Sequence, residues 1–346
     1  MTDTHRSIPP FNDEESLEVL TAAADMGLNF WVTSSGYGPN EALLGRWFRA
    51  NPSRRSEIFL ATKFGRVIVD GKILHPGTPE HVKASCAKSL ETLGVEYIDL
   101  YSQHRVDPET PVEVTVQAMK TLVEEGKVRY LGLSECSART LRRAYKVHPI
   151  AAAEMEFSPF ALEIEDPQIG VLAAARDCGT AIVAYAPLGK GFLTGTIKSR
   201  DDFPEGDARK TMFPRFSEEN FGGNLKLVEE LGELAKEKGV RVGQLVIAWV
   251  LAQGDGTSRS RALSEGWNGD CVLIMRIDFT PLPGTKHVKY LIENAEAVNV
   301  VLSKEDDERI RKVIDSVGGT KGARYPAALV SSLFGDSPEL EGFGGL

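Results

Sequence analysis

The sequence of 346 residues has no apolar run as long as the ~18 residues that a membrane-spanning helix needs. Its first stretch, MTDTHRSIPPFNDEES, lacks the apolar core of a secretory signal peptide. Lysine and arginine number 40 against 49 acidic residues, and the net charge of −9 argues against nucleic acid as a partner. We therefore expect a soluble, cytoplasmic protein with neither a membrane nor a nucleic-acid partner. A local basic pocket for a small phosphorylated ligand stays open.

Cysteine is also scarce. The four residues Cys86, Cys136, Cys178 and Cys271 show no C-x-x-C spacing, and no histidine cluster accompanies them. Such cysteines are typical of free, buried thiols in a reducing compartment. The sequence predicts no metal site.

Short β-branched or aromatic runs alternate with longer amphipathic segments. The pattern predicts strands at 28–33, 57–63, 97–102, 128–133, 150–155 and 180–185. It predicts helices near 14–26, 40–50, 79–93, 111–125, 137–146 and 167–178, with start signals at Asp13, Thr78 and Asp166. This alternation indicates a parallel sheet with helical crossovers. Because no G-x-G-x-x-G follows the first strand, a (β/α)8 barrel is favoured over a doubly wound dinucleotide fold.

Polar side chains follow the predicted strands, at the end where barrel enzymes carry their active sites. The first three are Tyr37, Lys63 and His104. Each residue alone is compatible with a turn, a solvated lysine or a structural histidine. Together they suit carbonyl reduction, in which the developing oxyanion needs a proton donor and hydrogen-bond donors. A nearby ammonium group makes a phenol a better acid because it stabilises the phenolate.

Several sequence runs resemble the aldo-keto reductase family, over residues 13–328 of a single domain spanning 1–346. The matching runs, in order, are NFWVTSSGYGPNEALLGRWF, IFLATKFG, YIDLYSQHRVDPETPVE, GKVRYLGLSE, EFSPFALEIE, VAYAPLGKGFLTG, GQLVIAWVLAQGD and PLPGTKHVKYLIENAEAV. The resemblance implies that Tyr37 is the proton donor, that Lys63 makes it more acidic, and that His104 binds the substrate carbonyl.

The resemblance also implies NADP(H) as cofactor. Ser134 and Glu154 would face the nicotinamide carboxamide, and Tyr185 would stack on the ring. Lys286 and His287 would meet the 2′-phosphate, with His287 in place of a commoner arginine, and Glu293 and Asn294 would reach the adenine. The remaining implied contacts are the pyrophosphate loop Pro187, Leu188, Gly189, Lys190 and Gly191, and the phosphate loop residues Gly284 and Thr285.

The chain departs from the family pattern at Val32, where the family has an aspartate that pairs with the lysine. We expect Lys63 to have lost its counter-ion, so that burial pushes it toward its neutral form and lowers activity. Glu154 is a smaller departure, since many relatives have glutamine there. The family's first barrel strand is also missing before Asp13, so the barrel is expected to be incomplete at its N-terminus or the gene start to be misplaced.

Residues 256–280 form an atypical insertion. They are interpreted either as a retained intron translated in frame, or as a surface loop followed by a strand at 271–277. Residues 201–224 are expected to be a loop over the cofactor, a lid or a solvated insertion. In the tail, Tyr325 and Phe334 are candidates for substrate specificity.

The sequence thus predicts NADPH-dependent reduction of an aldehyde or ketone to an alcohol. A small metabolic aldehyde and an intermediate of a fungal secondary-metabolite or toxin pathway are both open, with the second preferred. The alternatives are a nucleotide-binding subunit that is weak or inactive as a catalyst, and a decayed gene product. The oligomeric state and the direction of the reaction are left open.

Overall fold

The computed structural model describes residues 12–254 and 278–340. Within these residues, seven parallel strands form one sheet in the order β1-β2-β5-β6-β7-β8-β9, and β3 and β4 form a separate antiparallel pair. The strands are β1 Phe30–Val32, β2 Phe59–Phe64, β3 Val67–Val69, β4 Lys72–Leu74, β5 Ile98–Gln103, β6 Val128–Ser134, β7 Ile150–Glu156, β8 Ala181–Tyr185 and β9 Phe279–Leu282. All six predicted strands are therefore present.

The sheet curves into a nearly closed barrel. Each of its seven strands sends apolar side chains into one interior cluster, which is expected only if the sheet wraps around itself. The cluster consists of Phe30, Val32, Phe59, Ala61, Leu100, Tyr130, Ala152, Val183 and Leu282. The predicted barrel class is confirmed. The absent first strand stays a prediction, because residues 1–11 lie outside the described part of the chain.

Helices surround the barrel, and none within the described residues is long and apolar enough to cross a membrane. They are α1 Asp13–Asp25, α2 Asn40–Ala50, α3 Pro79–Leu93, α4 Val112–Glu124, α5 Ala138–Val147, α6 Val171–Cys178, α7 Ala208–Thr211, α8 Glu218–Glu237, α9 Val242–Ala252, α10 Val288–Glu296, α11 Lys304–Ser316 and α12 Ala327–Val330. Their apolar faces and the outward side chains of the strands form two further buried clusters.

Two of the three predicted helix starts need correction. Thr78 caps α3 as predicted. The cap of α1, however, is Asn12, whose side chain accepts hydrogen bonds from the first-turn amides, so that Asp13 is already helical. Asp166 does not start α6: its carboxylate accepts the Gln168 amide at 2.8 Å in a turn, and the helix begins only at Val171.

The end of the predicted insertion belongs to the barrel. Phe279 and Thr280 lie in β9, which pairs in parallel with β8. Phe279 is 1% exposed and packs against Phe157, with the ring centroids 5.0 Å apart. Residues 279–280, at the end of the predicted insertion, thus lie in a strand of the barrel, and the insertion itself stays a prediction. The rest of the insertion through residue 277, including the alternative strand at 271–277, lies outside the described residues.

The segment 201–224 is not a solvated insertion. It carries α7 and the beginning of α8, and four phenylalanines anchor it. These are Phe203, Phe213, Phe216 and Phe221, each at most 6% exposed. Burial of this much aromatic surface fixes the segment on the barrel mouth.

Two of the predicted thiols, Cys86 and Cys136, are buried and free. Burial raises the pKa of each to about 12, so both stay protonated at neutral pH. Cys178 is also free but only half-buried, and Cys271 lies outside the described residues.

Candidate active site

The carboxyl ends of the barrel strands open into one cavity of about 1030 Å³. Tyr37, Lys63, His104, Glu154 and Tyr185 all line it. Lys63 lies in β2, Glu154 in β7 and Tyr185 at the end of β8, while Tyr37 and His104 follow β1 and β5. The structure therefore brings together five of the residues that the sequence singles out. Their convergence follows from the parallel barrel, in which all strand ends meet at one mouth.

Lys63 has a counter-ion, contrary to the expectation drawn from Val32. Its Nζ lies 2.8 and 2.9 Å from the two carboxylate oxygens of Glu154. Burial alone would lower the pKa of Lys63, but the charge of Glu154 and then Tyr37 outweigh it and hold the pKa above its ordinary value. The prediction of an unpaired, neutral lysine is wrong because the carboxylate comes from another strand.

Tyr37 lies between this ion pair and His104. Its ring centroid is 5.1 Å from the Lys63 Nζ, and its ring meets the imidazole of His104 edge to face at 5.3 Å. The backbone amide of Tyr37 donates to the Ser34 carbonyl at 3.0 Å, in the turn that leaves β1. The phenol is thus presented to the cavity beside an ammonium group and a histidine.

His104 is buried and neutral. Burial lowers the pKa of its imidazole well below the ordinary value, and the positive charges of Lys63 and Arg105 lower it further. Its Nδ1 lies 2.9 Å from the Ser34 hydroxyl. Sequence reasoning did not identify Ser34, because nothing in the chain links it to a histidine 70 residues away.

Arg105 is a second cavity residue that sequence reasoning missed. It donates to the carbonyl of His104 at 2.8 Å, and its guanidinium lies 6.0 Å from the Tyr185 ring centroid. The Tyr185 hydroxyl in turn donates to Glu135 at 2.8 Å and lies 3.4 Å from the hydroxyl of Tyr325. Arg105, Tyr185 and Tyr325 thus line the same cavity as the catalytic candidates.

The predicted cofactor residues divide into two groups. Those that line the cavity, besides Glu154 and Tyr185, are Lys190, Gly284, Thr285, Lys286 and Asn294. Those that do not line it are Ser134, Pro187, Leu188, Gly189, Gly191, His287 and Glu293. The structure thus brings only part of the predicted cofactor set to the cavity wall.

Particular contacts explain the second group. The imidazole of His287 lies 2.5 Å from Glu15, on the α1 side of the loop, and the carboxylate of Glu293 lies 3.4 Å from Arg241. Ser134 is 1% exposed, and its hydroxyl has no hydrogen-bond partner within the described residues. His287 and Glu293 thus pair with other side chains, His287 at the surface with 55% of its side chain exposed, whereas Ser134 is buried.

The pyrophosphate-loop candidates lie in a tight turn over residues 186–191. Ala186, Gly189, Lys190 and Gly191 all have positive φ, and the Lys190 carbonyl accepts a 2.7 Å hydrogen bond from Arg209. Arg209 also lines the cavity and pairs with Asp207 at 2.6 Å. The segment 201–224 therefore contributes a cation to the cavity wall.

The two tail candidates differ. Tyr325 lines the cavity, whereas Phe334 does not, and the guanidinium of Arg324 covers the Phe334 ring at 4.9 Å. Only Tyr325 is positioned to meet a substrate.

Comparisons with known proteins agree with this geometry. The model of the aldo/keto reductase family matches residues 2–315. The chain is 45% identical over 340 residues to an NADP(+) aldo-keto reductase of Schizosaccharomyces pombe, covering 97% of this chain and 93% of that protein. It is 46% identical over 331 residues to an aldo-keto reductase of Strobilurus tenacellus, covering 95% and 89%. A probable aldo-keto reductase of Glycine max is 38% identical over 91% of this chain and 84% of its own length.

Solved structures support the fold. A glycerol dehydrogenase from Gluconobacter oxydans superposes with a TM-score of 0.75 at 23% identity, over 91% of this chain and 90% of that one. A thermostable aldo-keto reductase crystallised with the inhibitor epalrestat superposes with a TM-score of 0.63 at 24% identity, over 89% and 90%. By its sequence over nearly the whole length, the chain belongs to the aldo/keto reductase family.

Proposed function

We propose that this protein reduces an aldehyde or ketone to the corresponding alcohol, with NADPH as hydride donor. The observation that carries the proposal is the grouping of Tyr37, the Lys63 ammonium and neutral His104 in one cavity. This set supplies a proton donor, a positive charge beside it and a polar ring for the carbonyl oxygen.

The cavity suits a dinucleotide with an extra phosphate. Lys190 and Lys286 line it together with Arg209, which is paired with Asp207, and the two lysines favour a strongly anionic ligand. Gly284 and Thr285 line the cavity just before α10 begins at Val288. The backbone amides in the first turn of a helix suit an anionic ligand. Lys286 and Asn294 would hold the adenosine end, and the Tyr185 ring would lie against the nicotinamide. NADPH, when bound, supplies the hydride.

Side chains of the protein would supply the proton that the carbonyl oxygen needs. His104 would hold the carbonyl oxygen through Nε2–H, and Tyr37 would give its hydroxyl proton to that oxygen as negative charge develops. The ammonium of Lys63 would stabilise the phenolate left on Tyr37. The single proton of the Ser34 hydroxyl can go to the Nδ1 of His104 at 2.9 Å or to the Lys63 carbonyl at 3.2 Å. The role proposed for His104 requires the first arrangement, which keeps the ring proton on Nε2.

The role of Ser34 gives a testable prediction. In Ser34→Ala, we expect kcat to fall by about fivefold, the loss expected for one neutral hydrogen bond of about 1 kcal/mol. The reason is that Nε2–H is no longer favoured once the partner of Nδ1 is removed. Steady-state kinetics with NADPH and a generic aldehyde measure the effect.

Ser35→Ala is the matched control, because the Ser35 hydroxyl donates to the same Lys63 carbonyl, at 3.0 Å, without contacting His104. Equal losses in the two variants would show that the shared backbone contact matters and the histidine contact does not.

The role of Lys286 gives a second prediction. In Lys286→Met, we expect the KM for NADPH to rise by about tenfold to a hundredfold, the value of a charged hydrogen bond of about 1.5–3 kcal/mol. The KM for NADH should change little, because NADH has no 2′-phosphate. Lys289→Met is the control, since Lys289 lies in α10 but does not line the cavity. An equal rise for both cofactors would contradict the assignment of Lys286 to that phosphate.

The competing proposal is a nucleotide-binding protein without turnover. Two measurements on the purified protein separate the two. Binding of NADPH should quench tryptophan fluorescence, because Trp31 lines the cavity. A panel of aldehydes and ketones should then consume the NADPH absorbance. Quenching without consumption across the panel would favour the non-catalytic alternative over reduction.

A place in fungal secondary metabolism stays a prediction.

A further inference from the structure

Lys63, the lysine beside the Tyr37 phenol, forms its ion pair with Glu154, a residue of a strand that is not its neighbour. Lys63 lies in β2 and Glu154 in β7, and β5 and β6 separate these strands in the sheet. The Lys63 side chain is 2% exposed and that of Glu154 is 12% exposed. Both carboxylate oxygens accept from the ammonium, at 2.8 and 2.9 Å. This is a shielded, two-point ion pair.

Val32, on the neighbouring strand β1, has an apolar side chain and contributes no charge to this ion pair. It is opposite Ala61 in the β1–β2 register, and Lys63 lies two residues beyond Ala61 on the same inward face. Val32 therefore points into the interior beside the Lys63 stem, in the apolar cluster of the barrel. The titratable groups that face Lys63 are Glu154, Tyr37 and His104, and only Glu154 is an anion.

We infer that Glu154 is the positioning residue of this active site: its carboxylate keeps Lys63 charged beside Tyr37, in a protein whose β1 supplies no acid. The inference rests on the proposed reductase function. In this assignment Glu154 of β7 acts on the reaction through Lys63, by keeping the lysine charged, and does not touch the substrate.

The chemistry of the side chain supports this assignment over a role toward the cofactor amide. A carboxylate has only acceptors, and both of its oxygens accept from Lys63. Removing the charge would leave a buried ammonium with no anion, and burial then favours its neutral form. The phenolate of Tyr37 would lose its stabilising charge in turn.

Glu154→Gln tests the inference with little change in shape. We expect kcat at neutral pH to fall by about tenfold, because a buried lysine whose pKa lies about one pH unit below the assay pH is charged in only about a tenth of the molecules. The alkaline limb of the kcat profile should move toward acid by several pH units, because the pKa of Lys63 stands above its ordinary value in the wild type and would lie below neutral pH in the variant. A uniform loss at every pH would indicate a merely structural role and overturn the inference.

Rescue gives the sharper comparison. In the Val32→Asp/Glu154→Gln double variant, a carboxylate enters from β1 instead, and we expect both kcat and the alkaline limb to return toward the wild type. Val32→Asn/Glu154→Gln has a side chain of the same size without charge and should not rescue. Val32→Asp alone should give no gain, because Lys63 is already paired. Rescue by asparagine, or a gain from Val32→Asp alone, would overturn the inference.

Thermal unfolding without cofactor provides a readout independent of turnover. Glu154→Gln should unfold at a lower temperature than the wild type, and the Val32→Asp/Glu154→Gln variant should recover part of the loss. Equal unfolding temperatures for the wild type and Glu154→Gln would contradict the ion pair, whether or not the protein has reductase activity. If the wild type shows no reductase activity, the proposed function fails, whereas unfolding still tests the pair. Should Glu154→Gln not fold, Glu154→Asp carries the same comparison, because its shorter side chain withdraws the carboxylate from Lys63.

Discussion

Tyr37→Phe is expected to lower kcat by about 10²–10⁴-fold, the contribution of a positioned general acid. In the proposed mechanism the hydroxyl of Tyr37, beside Lys63, is the acid, and phenylalanine keeps the ring while removing that proton. The 5.3 Å edge-to-face contact with His104 involves the ring and should persist. The loss should therefore appear in kcat, with the affinity for NADPH nearly unchanged.

Tyr325→Phe is the matched control for this variant. Tyr325 lines the same cavity, and its hydroxyl lies 3.4 Å from that of Tyr185. We expect a much smaller loss of kcat, because in the proposed mechanism the proton comes from Tyr37. If the kcat of Tyr37→Phe is within tenfold of the wild-type value, Tyr37 is not the proton donor.

Arg324→Met is expected to have the largest effect on stability. The Arg324 side chain is 3% exposed and binds both carboxylate oxygens of buried Glu135 at 3.1 Å. It also lies 3.6 Å from Glu156 and 3.5 Å from Glu163. Glu156 and Glu163 keep Arg215, at 3.6 and 2.9 Å, but Glu135 loses the guanidinium that binds both of its oxygens. Breaking a buried ion pair in this way costs about 3–5 kcal/mol of unfolding free energy. Urea unfolding followed by circular dichroism measures it.

Arg309→Met provides the control, because Arg309 pairs with Glu237 on the surface with about half of each side chain exposed. Exposed pairs contribute under about 1 kcal/mol. If the two variants lose equal stability, the buried cluster does not anchor the tail to the barrel.

The Arg324 prediction has a defined dependence on pH. Burial alone would raise the pKa of Glu135, but the charges of Arg324 and Arg105 hold it below its ordinary value of 4.5. A carboxyl group whose pKa is lower in the folded than in the unfolded state stabilises the fold above the unfolded pKa. That contribution is lost as pH falls through the folded pKa. The difference in unfolding free energy between wild type and Arg324→Met should therefore narrow below about pH 4.5.

The barrel class and the residues of the mouth followed from the sequence for a physical reason. Parallel strands alternate with helices, and the polar residues after each strand end at the same edge. Tyr37, Lys63 and His104 could therefore be placed together from strand periodicity and family motifs alone. The cap of α3 at Thr78 was also predictable, because the Thr-Pro-Glu pattern acts over a few residues.

The charge pairing was not predictable in the same way. The expectation for Lys63 considered only the neighbouring strand, where Val32 lies, whereas the carboxylate of Glu154 comes from the far side of the barrel. Curvature of the sheet brings the two together, and no local pattern encodes it. The same holds for Ser34 with His104, and for Arg324, which reaches buried glutamates from a glycine-rich tail.

The central claim is that this cavity transfers hydride from NADPH to a carbonyl carbon with Tyr37 as the acid. Mass spectrometry of the alcohol formed from an aldehyde and NADPH deuterated at the nicotinamide C4 tests it most directly. We predict one deuterium on the carbinol carbon with the wild-type protein, from one of the two C4-deuterated epimers only, and almost no product with Tyr37→Phe. Product without deuterium from either epimer, or full product with Tyr37→Phe, would contradict it.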